Sequence, residues 1–228
     1  MTFEMKVIAR IRNDFDTKFG VPRQSGLVQS ALSCVVFEPE YRNPDALRGM
    51  DGFSHLWLVW VFSEAVRDGW SPTVRPPRLG GNTRMGVFAT RSPFRPNAIG
   101  LSSVEIDRVE NHPELGPVLW VRGADLMNGT PILDVKPYLP YTDSHPEAKG
   151  GFAFGPGQGA VEVECPAEWL ALIPEEKRPA LIEVLSQDPR PGYQHESGRR
   201  YGISYAGYDV RFTVEEQTLR VCEIVAKV

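Results

Sequence analysis

Phe53-Ser-His-Leu-Trp-Leu-Val-Trp-Val-Phe62 contains the longest apolar run of this chain, Leu56 to Phe62. A membrane-spanning helix needs roughly 20 consecutive apolar residues, so this run is strand-sized. Working outward, Val7–Ile11, Leu27–Phe37, Met85–Ala89, Leu101–Val109 and Val118–Gly123 also read as strands, separated by clusters of Pro, Gly, Asn and Asp that suit turns. Val104 and Ile106, with Leu101 less cleanly, show the alternation of a half-buried strand. Asn43–Met50 adds a helical turn or two, with Pro44 suited to a first helical position. Short strands without long helices between them favour a closed or nearly closed β-barrel over a doubly wound α/β sheet.

Between Tyr141 and Gly159 the composition becomes Gly-rich and weakly apolar, which reads as a linker or loop. Gly155-Pro-Gly-Gln-Gly159 lacks both the spacing of a dinucleotide fingerprint and a preceding strand. Beyond it, Glu175–Gln187 is expected to be a helix with Leu181, Ile182 and Leu185 on one face, ended by Asp188-Pro189. Tyr208–Val214 and Leu219–Ala226 read as a hairpin turning at Glu215–Gln217. The expectation is a mostly β protein: a β-barrel core over residues 1–145, a linker at 146–159 and a small α+β C-terminal domain at 160–228.

The chain has 228 residues, 42% hydrophobic, and carries a net charge of −4. That charge argues against indiscriminate nucleic-acid binding, so any RNA contact must come from local basic patches. Cys34, Cys165 and Cys222 lack metal or redox spacing and read as thiols of a reducing cytosol. The amino terminus lacks a signal peptide's apolar core, and a cytoplasmic protein is expected. His55, His112, His145 and His195 are scattered, with no metal-ligand spacing, so no metal is expected. His55, inside an apolar strand, reads as a structural residue rather than a base. The segment Val74–Gly100 reverses the overall charge. It holds Arg75, Arg78, Arg84, Arg91 and Arg95 and no acidic residue, with Pro and Gly interleaved. Guanidinium forks suit phosphates and carboxylates.

The order of residues adds to this. Met85-Gly-Val-Phe-Ala-Thr-Arg-Ser-Pro-Phe-Arg-Pro-Asn-Ala-Ile-Gly100 closely resembles the signature of the TrmO (YaeB/TsaA-like) family. So do Phe19-Gly-Val-Pro-Arg-Gln-Ser-Gly-Leu27, Phe53-Ser-His-Leu-Trp57, Asn128-Gly-Thr-Pro-Ile-Leu-Asp134 and Val135-Lys-Pro-Tyr-Leu-Pro-Tyr141. Asp188-Pro-Arg-Pro-Gly-Tyr193 resembles the family's C-terminal extension. These blocks run nearly the whole chain in the expected order.

The resemblance implies a β-barrel methyltransferase that uses S-adenosylmethionine. Its acceptor would be N6 of threonylcarbamoyl-adenosine, beside the anticodon in the loop of threonine tRNA. It also implies a homodimer. On the cofactor it implies Pro22, Arg23 and Gln24, then Phe62, Ser63, Arg91 and Leu101, and then Asn128, Gly129, Thr130 and Pro131. Gln24 would meet the amino acid or the adenine edge, and Arg23 a carboxylate. Arg91 would fix the carboxylate of the methionine part or stack on adenine. Asn128 stands where the family usually has aspartate; it keeps a carbonyl acceptor but loses the charge.

Methyl transfer is an in-line displacement that rests largely on positioning. Asp134 or Tyr138 is a candidate proton acceptor, although Asp134 pairing with Lys136 or an arginine reads equally well. For RNA, Arg75, Arg78, Arg84 and Arg95 form one basic surface, and Arg190, Arg199 and Arg200 form another near Tyr193 and Tyr201. Two other readings stay open: a same-fold methyltransferase acting on another RNA or a small molecule, and a non-catalytic S-adenosylmethionine- or RNA-binding module.

Overall fold

A computed structural model describes residues 2–153, 160–190 and 198–227. Strands β1 (Ala9–Arg12), β2 (Leu32–Phe37), β3 (His55–Val61), β6 (Ile99–His112), β7 (Gly116–Arg122) and β8 (Pro131–Pro137) close into an antiparallel barrel in the order β1-β2-β7-β6-β3-β8. A short ladder, β4 (Thr73–Val74) with β5 (Met85–Gly86), stands between β3 and β6 in sequence. In β3, read from the sequence as an apolar strand, burial alternates. Leu56, Leu58 and Trp60 point into the barrel, and the residues between them are more exposed.

Two candidate strands shorten markedly. Leu27–Phe37 shortens to Leu32–Phe37, because Val28 and Ala31 leave the barrel and join a second core. Met85–Ala89 becomes a two-residue strand followed by a 3₁₀ turn at Val87–Ala89. The closing strand β8 was not anticipated among the candidate strands. Its sequence begins and ends in proline, and Pro131 is tolerated because it is the strand's first residue.

The second core belongs to the C-terminal part. There, β9 (Glu162–Glu164), β10 (Tyr201–Tyr205), β11 (Tyr208–Glu215) and β12 (Thr218–Ala226) form one sheet in the order β10-β11-β12-β9. Helix α3 (Arg178–Ser186) covers it; two single-turn helices, α1 (Pro140–Asp143) and α2 (Ala167–Leu170), precede it. The apolar face of α3 is Ala180, Leu181, Val184 and Leu185; Ile182, expected there, is only half-buried. The hairpin at β11–β12 turns as expected, with Glu216 at φ 51°.

The strand directions decide where long connections gather. β1, β3 and β7 end at the same barrel rim where β2, β6 and β8 begin. Residues 13–31, 62–98 and 123–130 therefore all crowd onto that rim. At its inner edge Trp60 lies flat against Gly100, where an added Cβ would sit 2.2 Å from the indole. Gly100→Ala is predicted to lower stability by about 1–3 kcal/mol, since a rigid ring must move. A fall in the urea midpoint with an unchanged slope would register it.

Candidate functional site

The connection 13–31 is held from two sides. Phe15, Val28 and Ala31 are buried in the C-terminal core, with Phe19 and Val21 packed against it. Lys177 pairs with Asp14 at 2.6 Å, Glu183 accepts from the Ser30 hydroxyl and backbone N–H, and Ala206 N–H donates to Asp14 O at 3.1 Å. On the barrel side, Gly26 N–H donates to Gly123 O at 2.8 Å. The tip left between these anchors is Pro22-Arg23-Gln24.

That tip meets Arg91. The Arg91 guanidinium donates to Gln24 Oε1. Arg23 Nη2 donates to the carbonyls of Asp188 and Arg190 at 2.8 and 2.9 Å. An open groove of ≈1880 Å³ runs beside this cluster, lined by Pro22, Arg23 and Gln24, by Arg75, Arg78, Arg84 and Arg91, and by Val184 and Arg190 from the C-terminal part. Residues distant in sequence, and expected at one cofactor, are thus brought together. Phe62, Ser63, Leu101, Asn128, Gly129, Thr130 and Pro131 lie at or next to the same rim, but outside this groove's lining. Phe62 packs at a tilt against Trp60 with ring centroids 4.2 Å apart, and Leu101 is 56% exposed. Asn128 accepts from Asn13 N–H at 3.2 Å and donates to Asp16 at 3.0 Å, while Gly129 takes the positive φ of 80° expected of its turn.

Asp125 is a residue the sequence reading missed. It follows β7 on the rim and is half-buried. Trp60 Nε1 donates to Ser102 Oγ at 3.0 Å, and the Ser102 hydroxyl donates to Asp125. Burial pushes the Asp125 carboxyl above its ordinary range, partly opposed by the Ser102 hydroxyl, its own backbone N–H, the Arg91 charge and the Ser25 N–H. One carboxylate thus faces the barrel wall, Arg91 and the residue after Gln24. Its sequence signal was slight: a lone acid in an apolar stretch three residues before Asn128.

Other expected site residues lie away from this groove or are held by neighbours. Tyr138 follows β8 at the opposite rim, its ring tilted against Trp57 and His55 with centroids at 5.6 and 6.2 Å, because β8 runs away from Arg91. It has no place beside the groove within this chain. Asp134 is paired with Lys136 at 3.0 Å, the structural alternative. Arg190 is 8% exposed and donates twice to Asp188 at 2.8 Å, so it braces the groove wall instead of offering a free fork. Tyr201 is core, 7% exposed and stacked on Phe212. Arg199 lies 5.5 Å over the Tyr201 ring. Arg95 donates to Thr90 O at 2.7 Å and so stiffens its own loop. Tyr193 and the Gly155–Gly159 run lie outside the described residues. Among the described residues no cluster of metal-ligating side chains occurs, and no helix is long and apolar enough to cross a membrane.

Comparisons with known proteins bear on the whole chain. The family model for the tRNA-methyltransferase O N-terminal domain matches residues 10–144, and that for the TrmO C-terminal domain matches 161–227. A tRNA (adenine(37)-N6)-methyltransferase of Escherichia coli is 43% identical over 96% of this chain and 97% of its own. A probable S-adenosyl-L-methionine-binding protein of Methanothermobacter thermautotrophicus is 35% identical over 63% of this chain and 96% of its own. The crystal structure of TrmO from Pseudomonas aeruginosa superposes with a TM-score of 0.80 at 32% identity, covering 99% of this chain and 100% of that one.

The raised Asp125 value fixes the sign of a pH effect. Between the ordinary carboxylate range and the raised value the folded state binds the proton more tightly, so stability falls as pH rises through that window. Asp125→Asn lacks this loss. Its stability relative to the parent is predicted to improve from pH 4 to pH 7, as read by urea unfolding at both.

Proposed function

This chain belongs to the TrmO family, and on that premise we propose that it transfers a methyl group from S-adenosylmethionine to N6 of adenosine 37 in tRNA. The observation that carries the reading is the meeting of Arg91 with the Pro22-Arg23-Gln24 tip on one barrel rim, inside a chain whose two halves both match the family. The acceptor is the threonylcarbamoylated adenosine of threonine tRNA, in the cytoplasm, and the working unit is a homodimer.

The residues at the rim fit the cofactor's chemistry. A carboxylate-bearing nucleoside needs a cation and an amide edge, which Arg91 and Gln24 offer together with Arg23. When bound, S-adenosylmethionine supplies an electrophilic methyl on a sulfonium. The chain's task is to hold that methyl in line with the acceptor nitrogen. Phe62, Ser63, Leu101 and Asn128–Pro131 hold the cofactor's remaining parts from the same rim, and a second copy brings these two sets of residues to one ligand.

A carbamoyl group on N6 makes its N–H more acidic than that of an ordinary exocyclic amine, so water suffices to take the proton. That agrees with Tyr138 at the far rim and Asp134 held by Lys136. Tyr138→Phe and Asp134→Asn are each predicted to keep turnover within about threefold. Loss of turnover with both ligands still bound would restore a general base, whose contribution is on the order of 100-fold or more.

The direct test is label transfer from S-adenosylmethionine to purified threonine tRNA with and without the threonylcarbamoyl group. Label in the modified tRNA only, lost in Arg91→Ala, is the expected result. Label in neither tRNA, despite cofactor binding, would favour another acceptor or a binding module.

A further inference from the structure

Trp70, Phe88 and Phe94 are 54%, 70% and 40% exposed. Exposed rings clustered beside a groove mark a surface that something covers. The β4–β5 ladder sets two of them. Val87 N–H donates to Pro72 O at 3.0 Å, and the Val87 side chain is buried, which turns its neighbour Phe88 outward toward Trp70. Those two rings have centroids 6.0 Å apart and planes at 30°. Phe94 carries the Arg67 guanidinium 3.8 Å over its ring, and Arg95 reaches within 5.9 Å of Phe88.

The charge around these rings identifies the occupant. Arg75, Arg84 and Arg91 are exposed on the same segment, and no acidic residue occurs from Val74 to Gly100. Flat aromatic faces framed by guanidinium groups match nucleobases joined by phosphates, because every base has a π-face to stack and each link carries a negative charge. The second copy in the proposed homodimer is a poor match for these rings themselves, as a patch set against itself. Across a two-fold axis the arginines would meet their own counterparts, and like charges facing one another oppose association.

We propose that Trp70, Phe88 and Phe94 form a stacking platform for unpaired bases of the RNA acceptor, beside the Arg91 groove. This rests on the reading that the acceptor is RNA and adds which part of it is gripped. A duplex keeps its base faces stacked inside and offers the platform only phosphates. The chain therefore selects a single-stranded loop through these rings. The sequence had pointed instead to Tyr193, outside the described residues, and to Tyr201, which is core.

The test measures binding of the intact protein to an RNA stem-loop with unpaired loop bases, and to a fully paired duplex of equal length, by fluorescence anisotropy at one salt concentration. Phe88→Ala and Trp70→Ala, at exposed positions, are each expected to weaken stem-loop binding by about tenfold and to leave duplex binding unchanged. Phe88→Trp should retain affinity. Unchanged stem-loop affinity, or equal losses on both RNAs, overturns the proposal. So does a shift in sedimentation on Phe88→Ala, which would mean the rings cover a second copy. Methyl transfer by the parent protein is followed in parallel. If it is absent while the ring-dependent stem-loop binding holds, the methylation reading fails and the platform stands.

Discussion

The connection 13–31 is the constraint on which the rest of the site depends. It leaves the barrel after β1 and returns at β2, yet its apolar residues Phe15, Val28 and Ala31 are buried in the other core. Fully burying such side chains is worth roughly 1.5–3 kcal/mol for the larger ones. The chain therefore cannot relax toward either body without uncovering them. Gly20 marks how closely the two bodies meet: at φ 101° it lies where a Cβ would be 3.0 Å from Ile203. A tip so anchored presents Arg23 and Gln24 in one place, and the two Arg23 bonds to carbonyls before and after Pro189 fix it further.

Seen this way, the small C-terminal domain is part of the site's scaffold. Asp188 and Arg190 pair with each other at two points, and their backbone carbonyls receive Arg23. Arg190 holds the Asp188 carboxyl below its usual range despite the opposing effect of burial. From the barrel side Asp125 faces the same tip through Ser25, with Ser102 and Trp60 behind it. Two carboxylates, one from each body, thus flank the tip: Asp188 opens the C-terminal motif block, whereas Asp125 lies outside every block that carries the resemblance. Preorganisation of this kind lowers the ordering cost a ligand meets on binding.

Much of this was legible in the sequence. The apolar run from Leu56 to Phe62 marked a barrel strand, and the motif blocks marked Arg91 and Gln24 as neighbours although 67 positions separate them. What was not legible has physical reasons. β8 is bracketed by prolines, which mask a strand in a propensity reading although the first position of a strand tolerates one. Val28 and Ala31 looked like barrel residues because burial leaves the same apolar signature whichever core receives it. Tyr201 and Arg190 looked like RNA contacts because residue type does not reveal exposure, and the exposed rings, Trp70 and Phe88, are brought together by a ladder only two residues long. The direction of β8, which carries Tyr138 to the far rim, follows from strand pairing and not from any local pattern.

The central claim is that the anchored tip and the Arg91 loop hold one ligand between them. Hydrogen–deuterium exchange of the full chain, with and without S-adenosylmethionine, tests it most directly. Slowed exchange is expected in residues 20–27 and 88–95, with no comparable change around Tyr138. Protection confined to the far rim, or absent from both segments at saturating cofactor, would contradict it.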